Sequence, residues 1–162
     1  MLLGLVLGGC GYHVAGTANA LPSEVHSIAV LPFANVSNQY KLSDYIAEAV
    51  TRELISRTRY QIIADPGKAD AVLSGAVANL IAGATVSDPI KGATGAQLVV
   101  YIQVKLVDKN GKVLLDRPNV EYRQQYEISV DPRQYFDESQ VAAQRLSKDV
   151  ARSIVSAVLE AF

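Results

Sequence analysis

The sequence predicts an α+β fold, a two-layer sandwich with two helices packed on one face of a mostly antiparallel sheet of four to five strands. Three observations predict it. Two segments, one in the first half and one at the C-terminal end, carry apolar residues at helical spacing. Between them, Leu98, Val100, Ile102, Val104 and Leu106 alternate with Tyr101, Gln103 and Lys105, the period of a strand with one buried face. Lys109-Asn110-Gly111 then reads as the turn of a hairpin.

The elements follow in order. Ser27 to Phe33 is an apolar run closed by proline and reads as a buried strand. Asn35 to Gln39 is a polar break. Leu42, Ile46, Val50 and Leu54 recur every four residues, with Tyr45, Ala49 and Ile55 alongside and Glu48, Arg52, Glu53 and Arg57 on other faces. That pattern is an amphipathic helix. Tyr60 to Ile63 is a short strand stopped by Asp65-Pro66-Gly67. Strand, helix and strand so close together predict a crossover unit. Ala71 to Ala82 is a longer strand, and Gly83 to Gly95 reads as a flexible Gly-rich connection.

Register in the hairpin follows from keeping one face apolar. A two-residue Asn-Gly turn pairs Leu106 with Leu115 but places Val100 opposite Glu121. A three-residue loop with Gly111 in the left-handed region pairs Leu106 with Leu114, Val100 with Val120 and Leu98 with Tyr122, and is the register predicted. It leaves Asp116 on the inward parity near Pro118, so a bulge is expected there. The second helix carries Val141, Leu146, Val150, Ile154, Val158 and Phe162 on one stripe, widened by Ala151, Val155 and Leu159. Asp131-Pro132 or Asp137 starts it; the former offers an N-cap with proline at the first helical position.

Composition narrows the function. The 162 residues are 49% hydrophobic and 19% charged, a globular balance for a single domain. A formal charge of −1 gives no general affinity for nucleic acid. No apolar run approaches the about 20 residues of a membrane-spanning helix. The Gly83–Gly95 stretch lacks the Lys-Ser/Thr ending of a phosphate-binding loop, and no nucleophile elbow or paired-carboxylate signature is present. His13 and His26 have no metal-ligand spacing around them. The expectation is a protein that is not an enzyme and needs no cofactor or metal.

The N-terminus asks for different chemistry. Cys10 is the single cysteine, so no internal disulfide forms. Leu2 to Leu7 is an apolar core like that of a secretory signal, and Leu7-Gly8-Gly9-Cys10 resembles a bacterial lipobox. Residues 1–9 therefore read as the remnant of a signal peptide, lacking the basic residue after Met1 because of a start placed downstream or a trimmed chain. Residues 10–26 read as a lipidated N-terminus and tether, and 27–162 as one domain. Cys10 is the expected acylation site; two or three chains anchor firmly where one binds only marginally.

From Cys10 onward the residues resemble a known family. Cys10-Gly11-Tyr12-His13-Val14-Ala15-Gly16 is similar to the opening of the LPS-assembly lipoprotein family LptE, with Val14 where leucine is common. The likeness continues through Ile28–Asn35, the first helix, the Arg59-Tyr60 strand, Ala69–Gly75 and the hairpin to the last helix. The resemblance implies an outer-membrane lipoprotein on the periplasmic face that plugs the lumen of the β-barrel LptD and helps deliver lipopolysaccharide to the outer leaflet. It also implies two helices on one side of a four-stranded sheet. Gly11, rather than aspartate, agrees with outer-membrane sorting. The alternative is an envelope lipoprotein that binds a periplasmic ligand or scaffolds another secretion complex.

Contact with lipopolysaccharide needs cations for phosphates beside apolar surface for acyl chains. The predicted register puts Tyr101, Gln103 and Lys105 beside Leu115, Arg117 and Asn119 on the outward face of the hairpin, with Arg123 further along. Tyr101, Lys105, Arg117 and Arg123, together with Lys91 in the Gly-rich connection, are the candidate contacts for glycolipid or barrel wall. Such a face also occurs as ordinary solvated sheet, its long side chains covering apolar atoms.

Overall fold

A computed structural model describes residues 21–37, 40–88, 92–127 and 132–160. Strands β1 (Ser27–Val30) and β2 (Ala34–Asn35) lead into helix α1 (Tyr40–Arg57), followed by β3 (Gln61–Ile62). Three long strands, β4 (Ala71–Asp88), β5 (Gly92–Asp108) and β6 (Val113–Glu127), precede helix α2 (Pro132–Leu159). The sheet order is β3-β1-β4-β5-β6, with β2 beside β4. The predicted two-layer architecture is present. The sheet is mixed: its long pairings, β4–β5 and β5–β6, are antiparallel, while β1 runs parallel to β3 and β4 and β2 runs parallel to β4. The strand–helix–strand crossover imposes that parallel corner. The strand count reaches six because two strands are only two residues long.

Proline divides the first apolar run. β1 ends at Val30, the Leu31 N–H still donates to Leu73 O at 2.9 Å, and β2 resumes beyond Pro32 opposite Ala76 and Val77. Phe33, between the two strands, folds into the core and lies directly over Gly75. Upstream, Leu21 and Val25 already pack into the same core.

Two helical stripes close the core. Leu42, Ile46, Val50 and Leu54 of α1 face Leu146, Val150, Ile154 and Val158 of α2 and the inward residues of β4 and β5. Ile55 stays 62% exposed, one step off its stripe. In α2, Ala142 is buried and Val141 is not, a correction to the predicted stripe. Ala142 lies four residues before Leu146, whereas a five-residue spacing turns Val141 about 140° away. The helix starts at Pro132, as the proline-led option requires; Asp131 and Phe162 lie outside the described residues. Where α1 ends, Arg57 Nη1 donates to Ser156 Oγ of α2 at 3.1 Å and pairs with Glu53 at 3.3 Å.

The predicted flexible connection from Gly83 to Gly95 is corrected: β4 continues to Asp88 and β5 begins at Gly92. Each strand supplies the other's backbone hydrogen bonds, so weak side-chain propensity does not stop them. The small residues leave their mark as register shifts between Val77/Asn79, Ala84/Val86 and Val86/Ser87.

The β5–β6 register agrees with the three-residue loop only at the turn, where Val107 faces Val113 and Gly111 holds φ of 84°. One shift between Leu106 and Val107 then sets Leu106 opposite Leu115. A second, between Ile102 and Val104, falls at Pro118–Asn119, where a bulge was expected. Two one-residue shifts restore parity, so Val120, Tyr122, Gln124 and Tyr126 turn inward while Glu121, Arg123, Gln125 and Glu127 stay exposed. The first shift also moves Asp116 opposite Lys105, off the apolar face that the uniform register had assigned to it.

Candidate functional site

The face of β4–β5–β6 turned away from the helices carries most of the residues that sequence reasoning selected, in two groups. In the first, Tyr101 lies between Asn79 of β4 and Glu121 of β6, and Arg123 lies two residues beyond Glu121 on the same face. Arg123 Nε donates to Glu121 Oε1. The Arg123 hydrogen bond, then that of Tyr101, holds the Glu121 carboxyl below its ordinary range. The bond to Glu121 in turn pushes the Tyr101 phenol up, and the Arg123 guanidinium with it. This group is close to neutral, with an aromatic edge and apolar neighbours Ile81 and Val99 in the next row.

In the second group, Lys105 stands between Ser74 and Asp116. The bulge at Pro118 opens a shallow depression of about 410 Å³ lined by Ser74, Gln103, Lys105, Asp116, Arg117 and Pro118. Arg117 departs from its predicted place. It pairs with Val104, on the helix-side parity, and also borders a cavity of about 50 Å³ with Leu115, Tyr122 and Ser153. Leu115, predicted to face outward, is buried in the core. Both corrections have one cause, the extra residue at Leu114, which turns every following side chain over until the Pro118 bulge turns it back. Arg117 thus sits where the strand changes face and lines the outer depression from its rim.

Cys10 and Lys91 lie outside the described residues. Three acidic partners were not foreseen. Glu121 and Asp116 set the charge balance of the outer face, and the awkward parity of Asp116 was the sequence signal for the second. Asp70 is the third. Its carboxylate accepts from the N–H groups of His26 and Ser27, each at 3.1 Å, from Ser27 Oγ at 2.9 Å and from Lys109 Nζ at 3.1 Å. The Lys109 bond, then those of His26 and Ser27, holds its pKa far below the usual carboxylate range. Asp70 therefore ties the start of β1 to the hairpin turn.

A further groove of about 350 Å³ opens between the first turns of α1 and the middle of α2, floored by Leu80 and Leu98 and rimmed by Lys41, Tyr45 and Gln140. Gln140 Nε2 donates to Tyr45 Oη across it at 3.2 Å. Among the described residues no group of three or more His, Cys, Asp or Glu could hold a metal ion, and no helix is long and apolar enough to cross a membrane.

The pattern of the lipopolysaccharide-assembly family LptE matches residues 25–158, from the lead-in to the end of α2. The chain belongs to this family. The LptE fold is also seen in solved structures. Lipoprotein B from Nitrosomonas europaea is 14% identical with a TM-score of 0.60, over 93% of this chain and 88% of that one. The rare lipoprotein B from Shewanella oneidensis is 16% identical with a TM-score of 0.52, over 80% and 92%. A minor lipoprotein from Acinetobacter baumannii is 9% identical with a TM-score of 0.55, over 83% and 91%. No curated protein matches the sequence. The LptE match spans β1 to β6 and both helices, so the face carrying Tyr101, Lys105 and Arg123, with Arg117 at its rim, lies wholly inside the family domain.

Proposed function

We propose that the protein is an acyl-anchored lipoprotein of the outer membrane that seats its sheet inside an LptD-type β-barrel and assists delivery of lipopolysaccharide to the outer leaflet. The observation that carries this reading is the family match over residues 25–158. The geometry supports it in two respects. Lys105 and Arg117 line a depression with polar Ser74 and Gln103, and the exposed apolar Ile81 lies further along the outer face, beyond Asn79 and Tyr101, where no described helix covers the sheet. Cations and aliphatic surface on one sheet suit a phosphorylated glycolipid as well as the mixed lining of a barrel lumen. Second, the titratable groups with shifted ionisation are spent on structure: Asp70 on the β1–β5 tie, Glu121 on Arg123 and Tyr101. The role is docking and positioning rather than catalysis.

Cys10 supplies the membrane contact in this reading, through a diacylglyceryl thioether and an N-acyl chain. Expressed in its native host behind a complete signal sequence, Cys10→Ser is expected to lose acylation by intact-mass spectrometry and to appear in the soluble periplasmic fraction. Affinity purification of the unmodified protein is expected to bring an outer-membrane barrel with it, and depletion to lower surface lipopolysaccharide. An unmodified Cys10 thiol in the native protein, or depletion that leaves barrel assembly and surface glycolipid intact, refutes the proposal.

A further inference from the structure

The two long free edges of the sheet are built differently. β6, at one end of the strand order, carries Asp116, Arg117, Glu121, Arg123 and Glu127, with Pro118 at a bulge. Charges, proline and bulges are the devices that keep an edge strand from pairing with another chain. β4 is also an edge strand along part of its length. β2 covers it only at Ala76 and Val77, and no described strand lies against that side beyond Val77. Residues 78–87 contain no charge and no proline. Ile81 to Thr85 are exposed one after another, Ile81 to 50%.

Register shifts between Val77/Asn79 and Ala84/Val86 bound a regular window, Asn79–Ala84, in which pairing to β5 runs without interruption from Tyr101 to Ala96. Pairing this window edge to edge about a two-fold axis uses up the free edge of both copies, so association stops at a dimer rather than an open-ended stack.

The window is complementary to itself. Facing residues of an antiparallel pair share a sheet face, so a two-fold axis relating two copies passes through a residue position. An axis at Ala82 sets Ile81 opposite Gly83 and Leu80 opposite Ala84, each large aliphatic against a small partner. A Cβ built on Gly83 meets nothing within 4 Å, so the space that Ile81 of a second copy fills is open. An axis at Ile81 would stack isoleucine on isoleucine. An axis at Gly83 would bring Ile81 against the irregular Thr85.

We propose that the free edge of β4 is a self-association surface, on which two copies pair antiparallel through Asn79–Ala84 about a two-fold axis at Ala82. This interface belongs to the protein outside a barrel, since a sheet seated in a lumen leaves no room for a second copy, and it does not depend on the barrel reading.

Sedimentation of the full chain in detergent tests it, together with hydrogen exchange and cross-linking. A reversible monomer–dimer equilibrium is expected, with amides of Asn79–Ala84 gaining protection as concentration rises. Ile81→Lys, at an exposed position, is expected to weaken dimerisation about tenfold or more, because each copy then presents a charge to an apolar edge. Ala82→Cys is expected to form a disulfide dimer on mild oxidation, since Cα atoms facing each other across such a pair stand about 4.5–5.5 Å apart. Glu121→Cys, on the defended edge, is expected to form none. A protein that stays monomeric at all concentrations overturns the proposal. So does a dimer indifferent to Ile81→Lys, or one in which exchange at Asn79–Ala84 is independent of concentration.

Discussion

Replacing Gly75 with alanine tests how the parallel corner is locked to the long strands. Gly75 faces Val104 across β4–β5, on the side of the sheet that Phe33 covers. An added Cβ would lie 2.1 Å from Phe33 Cε1, 2.5 Å from Cδ1 and 2.6 Å from Cζ. Carbon atoms normally rest about 3.5–4.0 Å apart, so the ring must retreat by roughly 1.5 Å. Phe33 is only 5% exposed and sits between β1 and β2, so the retreat displaces the loop around Pro32 or forces the ring off its rotamer. Overpacking of this kind costs about 1–3 kcal/mol. Reduced freedom of the unfolded chain offsets about 0.4–1 kcal/mol of that, since no positive φ is required at this position. The net expectation is destabilisation of about 1–2 kcal/mol, a fall in melting temperature of roughly 2–8 °C for a domain of this size. Thermal and urea unfolding followed by circular dichroism measure it. Phe33→Leu in the Gly75→Ala background should recover part of the loss, giving a favourable coupling between the two sites. Unchanged or raised stability in Gly75→Ala, or strictly additive effects in the cycle, would refute the steric account.

Two further outcomes follow from the charge clusters. Asp70 has a depressed folded pKa, so it stabilises the native state above the ordinary carboxylate value of about 4, and that contribution is lost as pH falls from there toward the folded pKa. Asp70→Asn should therefore lower stability at neutral pH and flatten the acid limb of a stability–pH profile measured by urea unfolding; an unchanged acid limb would contradict the assignment. On the outer face, Glu121→Gln replaces the anionic carboxylate that raises Tyr101 with a neutral, weaker acceptor. The Tyr101 phenol should then ionise at a lower pH, read from its ring signals by NMR, and an unaltered titration would show that Glu121 does not govern it.

Much of the architecture was legible in local pattern. The four-residue recurrence of Leu42, Ile46, Val50 and Leu54 and the alternation from Leu98 to Leu106 each describe a surface with one wet side, and the core uses those same residues. Gly111 announced its left-handed turn because only glycine enters that region without cost. The outward placement of Tyr101, Lys105 and Arg123 followed from parity alone, as did the bulge at Pro118, a residue that cannot donate to a ladder.

What tertiary structure decided was everything that depends on a partner strand. A backbone hydrogen bond has no sequence signature when the side chains are Gly, Ala and Thr, so the stretch from Gly83 to Gly95 looked like a connection until its two halves paired. The face of Leu115 and Arg117 was set by the extra residue at Leu114, because a one-residue shift reverses every side chain beyond it and local composition does not reveal where that shift falls. The role of Asp70 likewise exists only when Ser27 and Lys109, 43 and 39 residues away in the chain, are brought to it. Periodicity specified which residues avoid water; the pairing of distant strands specified which of the remaining residues meet one another.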